Sequence, residues 1–233
     1  PELMRLLVDV ERLPWEKAWD LSTRTFAYTN HTILPEALET WPCDLIQRVL
    51  PRHMQIIYEI NRRFMEHIEL ATPDAEEADR KKGALSLIQE WPGKRVRMAN
   101  LSIVGSHSVN GVSALHTDIL MERVFKDFHE LYPGKLNNKT NGVTPRRWLL
   151  QCNPGLAGLL KEHIGMDWVR SLRAMAKMEH LADDKGFRKR WQAMRLENKR
   201  RLAEYIRRKM GEDVDLHSMF DVHIKRIHEY KRQ

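Results

Sequence analysis

Hydrophobic residues recur at intervals of three and four along much of the chain, the spacing that places them on one face of an amphipathic helix. The clearest run is formed by Ile57, Ile60, Phe64 and Ile68. Proline is accommodated in the first turn of a helix because the amide groups there have no partner within the helix. The pattern therefore predicts helices that begin at Pro14, Pro35, Pro42 and Pro51.

Two stretches between residues 71 and 112 depart from this helical pattern. Residues 71–82 are polar and charged, which predicts an exposed connection, followed by a short helix that ends near Trp91. Residues 105–112 are small, polar and uncharged. Such a composition is typical of backbone that closely approaches a ligand or a neighbouring element.

The second half of the chain returns to helix on both sides of a turn-rich segment. A helix is predicted over residues 114–132, and further helices from Pro145 to Met210. Residues 137–145 between them are rich in turn formers and have no periodicity, so they are the candidate domain boundary. Near the end, Phe220, Val222 and Ile224 alternate with polar residues, which predicts a strand.

Positive charge is concentrated in one predicted helix. The chain has a net charge of +7, and residues 185–209 alone contain eleven Lys or Arg against two Glu. An apolar stripe runs through the same segment at helical spacing: Phe187, Trp191, Met194, Leu202, Tyr205 and Met210. The favoured interpretation is a surface helix that packs by this stripe and keeps its basic faces in solvent. The alternative is a site for nucleic acid or an anionic surface.

The composition is that of an ordinary globular protein, with 42% hydrophobic and 30% charged residues. No apolar run approaches the roughly 18–20 residues that cross a bilayer, so no membrane-spanning segment is expected. No secretory leader is visible either, but that absence carries no conclusion, because the chain opens inside a helix-like pattern. Cys43 and Cys152 lie far apart without other metal ligands at binding spacing. We expect reduced thiols and no metal site, which favours the cytoplasm.

Basic residues follow the predicted strand near the end of the chain. Lys225 and Arg226 come directly after it, at the end of a strand where open α/β sheets bind ligands, and Tyr230 and Lys231 follow closely. The guanidinium of arginine matches phosphate oxygens, and lysine adds a mobile charge. The sequence therefore predicts an anion-binding turn here, although a basic surface turn without a ligand would have the same composition.

A polar loop ahead of Pro35 carries amide, imidazole and hydroxyl groups, which suit hydrogen bonds to sugar hydroxyls. Its most prominent member is His31; a histidine in this position can equally be a helix cap or a structural hydrogen-bond partner. Asn141, followed by glycine, can likewise be only a turn. Glycine-rich phosphate loops, the nucleophile elbow of serine hydrolases and H-E-x-x-H motifs are all missing from the sequence.

Four segments together resemble the α-glucan phosphorylases, the family that acts on glycogen, starch and maltodextrin. They are FAYTNHTILPEALE at residues 26–39, VGSHSVNGV at 104–112, NKTNGVTPRRW at 138–148 and FDVHIKRIHEYKRQ at 220–233. They occur in the order of the family and with similar separations. Nucleotide-sugar glycosyltransferases such as glycogen synthase are the rival family, and they match the last two segments much less well.

The resemblance implies a helix-rich fragment of a GT-B fold, in which two Rossmann-like domains face each other across a cleft. Residues 1–139 would be the end of the first domain and residues 140–233 the start of the second. The family motif with the Schiff-base lysine is absent, as is an upstream glycine-rich loop. The resemblance therefore predicts a piece of a longer enzyme, inactive by itself and lacking part of the burial partners of apolar faces such as that of Ile57 and Phe64. The parent would be a cytoplasmic homodimer without nucleic-acid or membrane partners.

The resemblance also implies roles for individual residues. In the sugar site, His31 and Asn141 would hydrogen-bond the glucosyl unit that is transferred, Tyr230 would lie against it, and Asn110 and Val112 would line the cleft. At the pyridoxal 5′-phosphate cofactor, Trp148 would pack beside the ring, and Lys225 would hold the phosphate. Arg226 and Lys231 would bind the substrate phosphate.

The implied reaction is the phosphorolysis of terminal α-1,4-linked glucose to glucose 1-phosphate with retained configuration, by a hexosyltransferase. Several fixed cations are needed because the cofactor phosphate and the substrate phosphate repel each other. Two protein carboxylates, the usual glycosidase machinery, have no part in this chemistry.

Overall fold

The computed structural model describes residues 1–224 and Ile227. It divides into two compact units, Pro1–Asn141 and Gly142–Gln233. Both are rich in helix, and small sheets occur in the first, so the predicted helix-rich α/β class is confirmed. The assignment of residues 1–139 and 140–233 to two domains of a phosphorylase remains a prediction.

Helices make up most of the described chain. The α-helices are α1 (Glu2–Arg5), α2 (Trp15–Thr25), α3 (Cys43–Val49), α4 (Pro51–Ala71), α5 (Ala75–Leu85), α6 (Met98–Val104), α7 (Ala114–Ile119), α8 (Lys126–Leu131), α9 (Pro154–Ile164) and α10 (Lys185–Met210). Segments of π-helix occupy Leu6–Val10, Leu120–Val124 and Arg146–Gln151, and 3-10 helix occupies Pro35–Ala37, Asp167–Val169 and Leu172–Asp183. The helices predicted after Pro14, Pro42 and Pro51, over residues 114–132 and between Pro145 and Met210 are thus confirmed.

Two three-stranded sheets belong to the first unit. The strands are β1 (Ala27–Thr29), β2 (Thr40–Pro42), β3 (Ile88–Gln89), β4 (Arg95–Arg97), β5 (Ser108–Gly111) and β6 (Leu136–Asn138). One sheet has the order β1-β5-β6 and is parallel, and the other has the order β2-β4-β3 and is antiparallel. The parallel sheet positions the candidate site.

Helix α4 runs through the core of the first unit. Ile57, Ile60, Phe64 and Ile68 lie on its buried face and are at most 4% exposed. The ring of Phe64 stacks on that of Phe128 with 6.1 Å between the centroids. This apolar face therefore finds its burial partners within the chain, and the expectation that it would lack part of them is wrong. Full burial of each such side chain stabilises the fold by about 1.5–3 kcal/mol.

The structure corrects two predictions about local elements of the first unit. The helix expected at Pro35 is only the 3-10 turn Pro35–Ala37, because the backbone becomes extended at Leu38 and continues into β2. Residues 71–82 are not a plain connection, because most of them belong to α5. The carboxylate of Asp74 caps α5, and only Ala78 and Leu85 are buried, so the helix has almost no apolar stripe for periodicity to detect. Where a short helix was expected to end near Trp91, the chain forms β3 instead.

The second unit has a smaller core, built on α9. Its buried residues include Ala157, Leu160, Ile164 and Trp168. The apolar stripe predicted on the basic helix packs only in part: Trp191 and Met194 are half-buried, but Leu202, Tyr205 and Met210 are exposed, the last to 72%. The interpretation of α10 as a packed surface helix therefore holds for its first half alone.

The strand predicted at Phe220, Val222 and Ile224 is wrong. The backbone there is irregular, and the last two side chains are 62% and 93% exposed. Alternation creates a strand only where a neighbouring strand supplies the hydrogen bonds. Between Gly142 and Ile224 the structure contains no strand for this segment to pair with.

Both cysteines are free, with Cys43 buried and Cys152 exposed. Over the part of the chain that the structure describes, no helix combines the length and apolarity required to cross a membrane. The same residues contain no cluster of three or more His, Cys, Asp or Glu side chains with the arrangement of a metal site.

Candidate functional site

The parallel sheet brings three polar loops to one edge. Strands β1, β5 and β6 run in the same direction, so their carboxyl ends meet at the same side, where α/β sheets commonly bind ligands. His31 lies on the loop after β1, Val112 directly follows β5, and Asn141 lies on the segment after β6. Asn110 is in β5, one residue from its end. Four of the residues predicted to contact sugar are thus placed at this carboxyl edge.

Backbone hydrogen bonds fix the loops of the carboxyl edge to one another. The N–H of Asn30 donates to the carbonyl oxygen of Asn110 (2.9 Å), and the N–H of Asn141 donates to the carbonyl oxygen of Val112 (2.9 Å). The N–H of Lys139 donates to the carbonyl oxygen of Gly111 (3.1 Å). The ladder of the sheet therefore continues past the strand ends, and the positions of the loops are set by the sheet.

The buried side chain of Asn30 sets the conformation of the loop that follows β1. It is 1% exposed, and its side-chain oxygen accepts a hydrogen bond from the N–H of Thr32 (3.0 Å), which closes an Asx turn. Its side-chain amide donates to the hydroxyl of Tyr28 (3.2 Å). Burial raises the pKa of Tyr28, so this phenol stays protonated. The turn leaves His31 exposed at the tip of the loop, where it is accessible to a ligand.

The side chain of Asn110 makes hydrogen bonds to neighbouring residues of the protein. Its side-chain oxygen accepts a hydrogen bond from the hydroxyl of Thr29 (2.8 Å), and its side-chain amide donates to the carbonyl oxygen of Gly111 (2.8 Å). These contacts hold the amide in one orientation, half-buried between the ends of β1 and β5. An amide fixed in this way can line a binding surface without the entropy cost of ordering a mobile side chain.

Two residues that sequence reasoning missed support the end of β5. Nδ1 of His116 accepts a hydrogen bond from the N–H of Val112 (3.1 Å). Gly111 lies so close to α7 that a Cβ there would be 2.3 Å from Oγ1 of Thr117. Only glycine allows this approach. The glycine itself and the histidine five residues later were visible in the sequence, but their contact depends on the turn between β5 and α7.

The remaining predicted site residues belong to the second unit or lie outside the described residues. Trp148 belongs to the second unit, in the π-helical segment Arg146–Gln151, and is 64% exposed. Lys225, Arg226, Tyr230 and Lys231 are not among the residues that the structure describes. Their roles stay predictions, as do those of the residues at the carboxyl edge.

The chain matches known proteins along its whole length. The profile of the carbohydrate phosphorylase family covers residues 1–233. The chain is 52% identical over 233 residues to the liver form of glycogen phosphorylase from Bos taurus and 52% identical to the muscle form from Homo sapiens. The muscle form from Oryctolagus cuniculus is 51% identical. In each case all of this chain is aligned, and it spans 27% of the length of the relative. The predicted resemblance is therefore confirmed, and the chain belongs to the carbohydrate phosphorylase family.

Proposed function

We propose that this chain is part of an α-1,4-glucan phosphorylase, a hexosyltransferase that transfers terminal glucose from a glucan to inorganic phosphate with retained configuration. The observation that carries the proposal is the carboxyl edge, where His31, Asn110, Val112 and Asn141 come together on loops fixed by the sheet. The high identity to glycogen phosphorylases supports it. The substrates would be an α-glucan and phosphate, and the parent would be a homodimer in the cytoplasm, without nucleic-acid or membrane partners.

The carboxyl edge has the chemistry of a sugar site. Residues 30–33, 110–112 and 137–141 present amide, hydroxyl and imidazole groups and no acidic side chain. Amides can donate and accept at once, which suits the hydroxyl groups of a glucosyl unit. In this proposal His31 and Asn141 each hydrogen-bond the sugar, Asn110 and Val112 line its pocket, and Tyr230 lies against it.

The phosphate side of the reaction is assigned to the basic residues near the end of the chain. Arg226 and Lys231 bind the substrate phosphate, and Lys225 holds the 5′-phosphate of pyridoxal phosphate. Fixed cations in a site that excludes water offset the repulsion between two phosphates and stabilise the charge that develops in the transition state. Arginine suits the substrate phosphate because two of its N–H groups can contact two phosphate oxygens at once.

Trp148 has the chemistry expected of a residue beside the cofactor. Trp148 would pack beside the pyridine ring, and its exposure leaves an aromatic surface available for such a contact. When bound, the cofactor would supply its phosphate group as a proton relay to the substrate phosphate. Trp148 would orient the ring and keep water away from one side of it.

The test uses the full-length parent protein with maltodextrin, with and without inorganic phosphate. We expect release of glucose 1-phosphate that depends on phosphate. Arg226→Ala should lower this activity by at least about a hundredfold, the scale of losing one electrostatic donor to the transition state, while cofactor content is nearly kept. Near-normal turnover of the variant at saturating phosphate would contradict the role of Arg226, and release of free glucose by the wild type would contradict phosphorolysis.

A further inference from the structure

His116 is placed where its side chain can control the backbone of the carboxyl edge. It is the third residue of α7, a short helix that directly follows β5. Its ring nitrogen Nδ1 accepts a hydrogen bond from the N–H of Val112 (3.1 Å). That N–H belongs to the first residue after β5, so a side chain supplies the partner that the sheet ladder no longer offers.

This contact defines the state of the imidazole. A ring nitrogen that accepts a hydrogen bond carries no proton, so a neutral His116 carries its proton on Nε2. Nε2 is buried, and it has no hydrogen-bond partner among the described residues. A buried polar group without a partner is uncommon in a well-packed region, because it loses its hydrogen bonds to water and gains none from the protein. An apolar ring would fill the same space without this loss, but it could not hold Val112.

The backbone of Val112 is held from both sides. While its N–H donates to His116, its carbonyl oxygen accepts a hydrogen bond from the N–H of Asn141 (2.9 Å). Two consecutive hydrogen bonds therefore connect the imidazole to a residue proposed to bind sugar. The approach of Gly111 to the same helix is equally tight, because a Cβ there would lie 3.0 Å from Nδ1 of His116.

We propose that His116 is a positioning residue for the sugar site: through the N–H of Val112 it sets the positions of Val112 and Asn141 against the glucosyl unit. The inference rests on the proposed function, since it assigns a purpose to a contact beneath the proposed sugar-binding loops. His116 does not touch the sugar and transfers no proton. Displacement of a positioned group by about 1 Å can lower the rate of a reaction by about a hundredfold, so a supporting contact of this kind has a measurable effect.

Two substitutions test whether the imidazole acts through its hydrogen-bond acceptor or through the space that its ring fills. Asn places its oxygen at the same number of bonds from Cα as Nδ1, so His116→Asn keeps the acceptor and loses the ring. His116→Phe keeps the ring and loses the acceptor. In the full-length protein we expect His116→Phe to lower kcat/KM for maltodextrin about 10- to 100-fold, and His116→Asn to stay within about threefold of the wild type. The KM for phosphate should change less than about twofold in both, because the proposed phosphate ligands lie in another segment.

Ser113→Ala is the structural control. The hydroxyl of Ser113 accepts a hydrogen bond from the N–H of His116 (3.2 Å) and caps α7, so its loss destabilises the helix but leaves the imidazole in place. We expect a lower Tm with kcat/KM within about twofold of the wild type. If His116→Phe does not fold, His116→Ala takes its place, because alanine also lacks the acceptor of Val112 and adds no bulk, and its comparison with His116→Asn still decides.

The outcomes distinguish this inference from the proposed function. A wild-type protein that neither binds maltodextrin in calorimetry nor releases glucose 1-phosphate would refute the proposed function itself. With an active wild type, the positioning role is overturned if His116→Asn loses as much activity as His116→Phe, or if every variant changes Tm but not kcat/KM. The positioning role is supported if His116→Asn, which keeps the acceptor, stays active and His116→Phe, which keeps only the ring, loses activity.

Discussion

The two units of the chain differ in how completely they bury their side chains. In the first unit, α4 lies in the core, and Phe64 and Ile68 on it are at most 4% exposed. In the second unit, α10 is longer, with 26 residues, yet it has no buried residue, and its Tyr205 is 52% exposed. Because burial of apolar surface is the main source of stability, the first unit should resist unfolding better than the second.

This difference bears on function, because the carboxyl edge belongs to the well-packed unit. Binding groups work best when their positions are already set by neighbouring packing and hydrogen bonds. His31 and Asn141 have such support, since their loops are hydrogen-bonded to Asn110 in β5 and to Val112 directly after it. The basic side chains of α10 lie on an exposed helix, so their charges mainly affect solvation and ionic attraction.

The largest expected effect comes from truncating the core of the first unit. Phe64→Ala should lower the free energy of unfolding by about 3–5 kcal/mol, because it removes a buried ring that stacks on Phe128. The matched substitution Leu202→Ala in α10 should change it by less than about 0.5 kcal/mol, since that side chain is 37% exposed. Urea unfolding of both variants provides the measurement. Equal losses would show that the two units are packed alike.

Substitution of one glycine in each unit should change stability by an intermediate amount and in opposite directions. Gly111→Ala should destabilise the first unit by about 1–3 kcal/mol, because the new methyl group would meet Thr117 at 2.3 Å. Gly158→Ala in α9 should stabilise the second unit by about 0.4–1 kcal/mol, because nothing lies within 4 Å of the added carbon and alanine reduces the entropy of the unfolded chain. Thermal unfolding followed by calorimetry distinguishes the signs, and a stabilising Gly111→Ala would contradict the close approach of β5 to α7.

Stability should also depend on pH through Lys135. Burial lowers the pKa of Lys135 to about 8 from 10.5, although its amino group donates to the carbonyl oxygen of Ile103 and lies 4.2 Å from the centroid of the Tyr132 ring. Between pH 8 and 10.5 the unfolded state therefore binds more protons than the folded state, and stability should rise with pH across this window. Lys135→Met should flatten that rise in urea titrations at several pH values. An unchanged slope in the variant would mean that Lys135 keeps its ordinary pKa when folded.

How much of this fold follows from sequence depends on how each element is stabilised. Helix α4 was predictable because its buried face repeats at three and four residues. The parallel sheet was not, because β1, β5 and β6 are only three or four residues long and include Asn and Gly, which are uncommon in strands. The alternation at residues 220–224 predicted a strand that has no partner. Periodicity reports which face is buried, but pairing depends on distant segments.

For the candidate site, individual residues could be predicted from the sequence, but their arrangement could not. His31, Asn110, Val112 and Asn141 were named through the resemblance to a family, and spacing alone left His31 and Asn141 with structural alternatives. The convergence of the four residues at one edge required the strand order, and the role of His116 required the turn that brings α7 back to β5. The Asx turn at Asn30 was within reach of the sequence, because an Asn side chain in a polar loop often accepts a hydrogen bond from the backbone N–H two residues on.

The central claim is that the carboxyl edge binds the transferred sugar. Its most direct test is an experimental structure of the full-length protein with bound glucose 1-phosphate. The account predicts that the glucosyl ring lies against the carboxyl ends of β1, β5 and β6, with His31 and Asn141 both within hydrogen-bond distance of its hydroxyl groups. A sugar bound elsewhere, or His31 and Asn141 further apart than one glucosyl unit can bridge in the closed cleft, would contradict it.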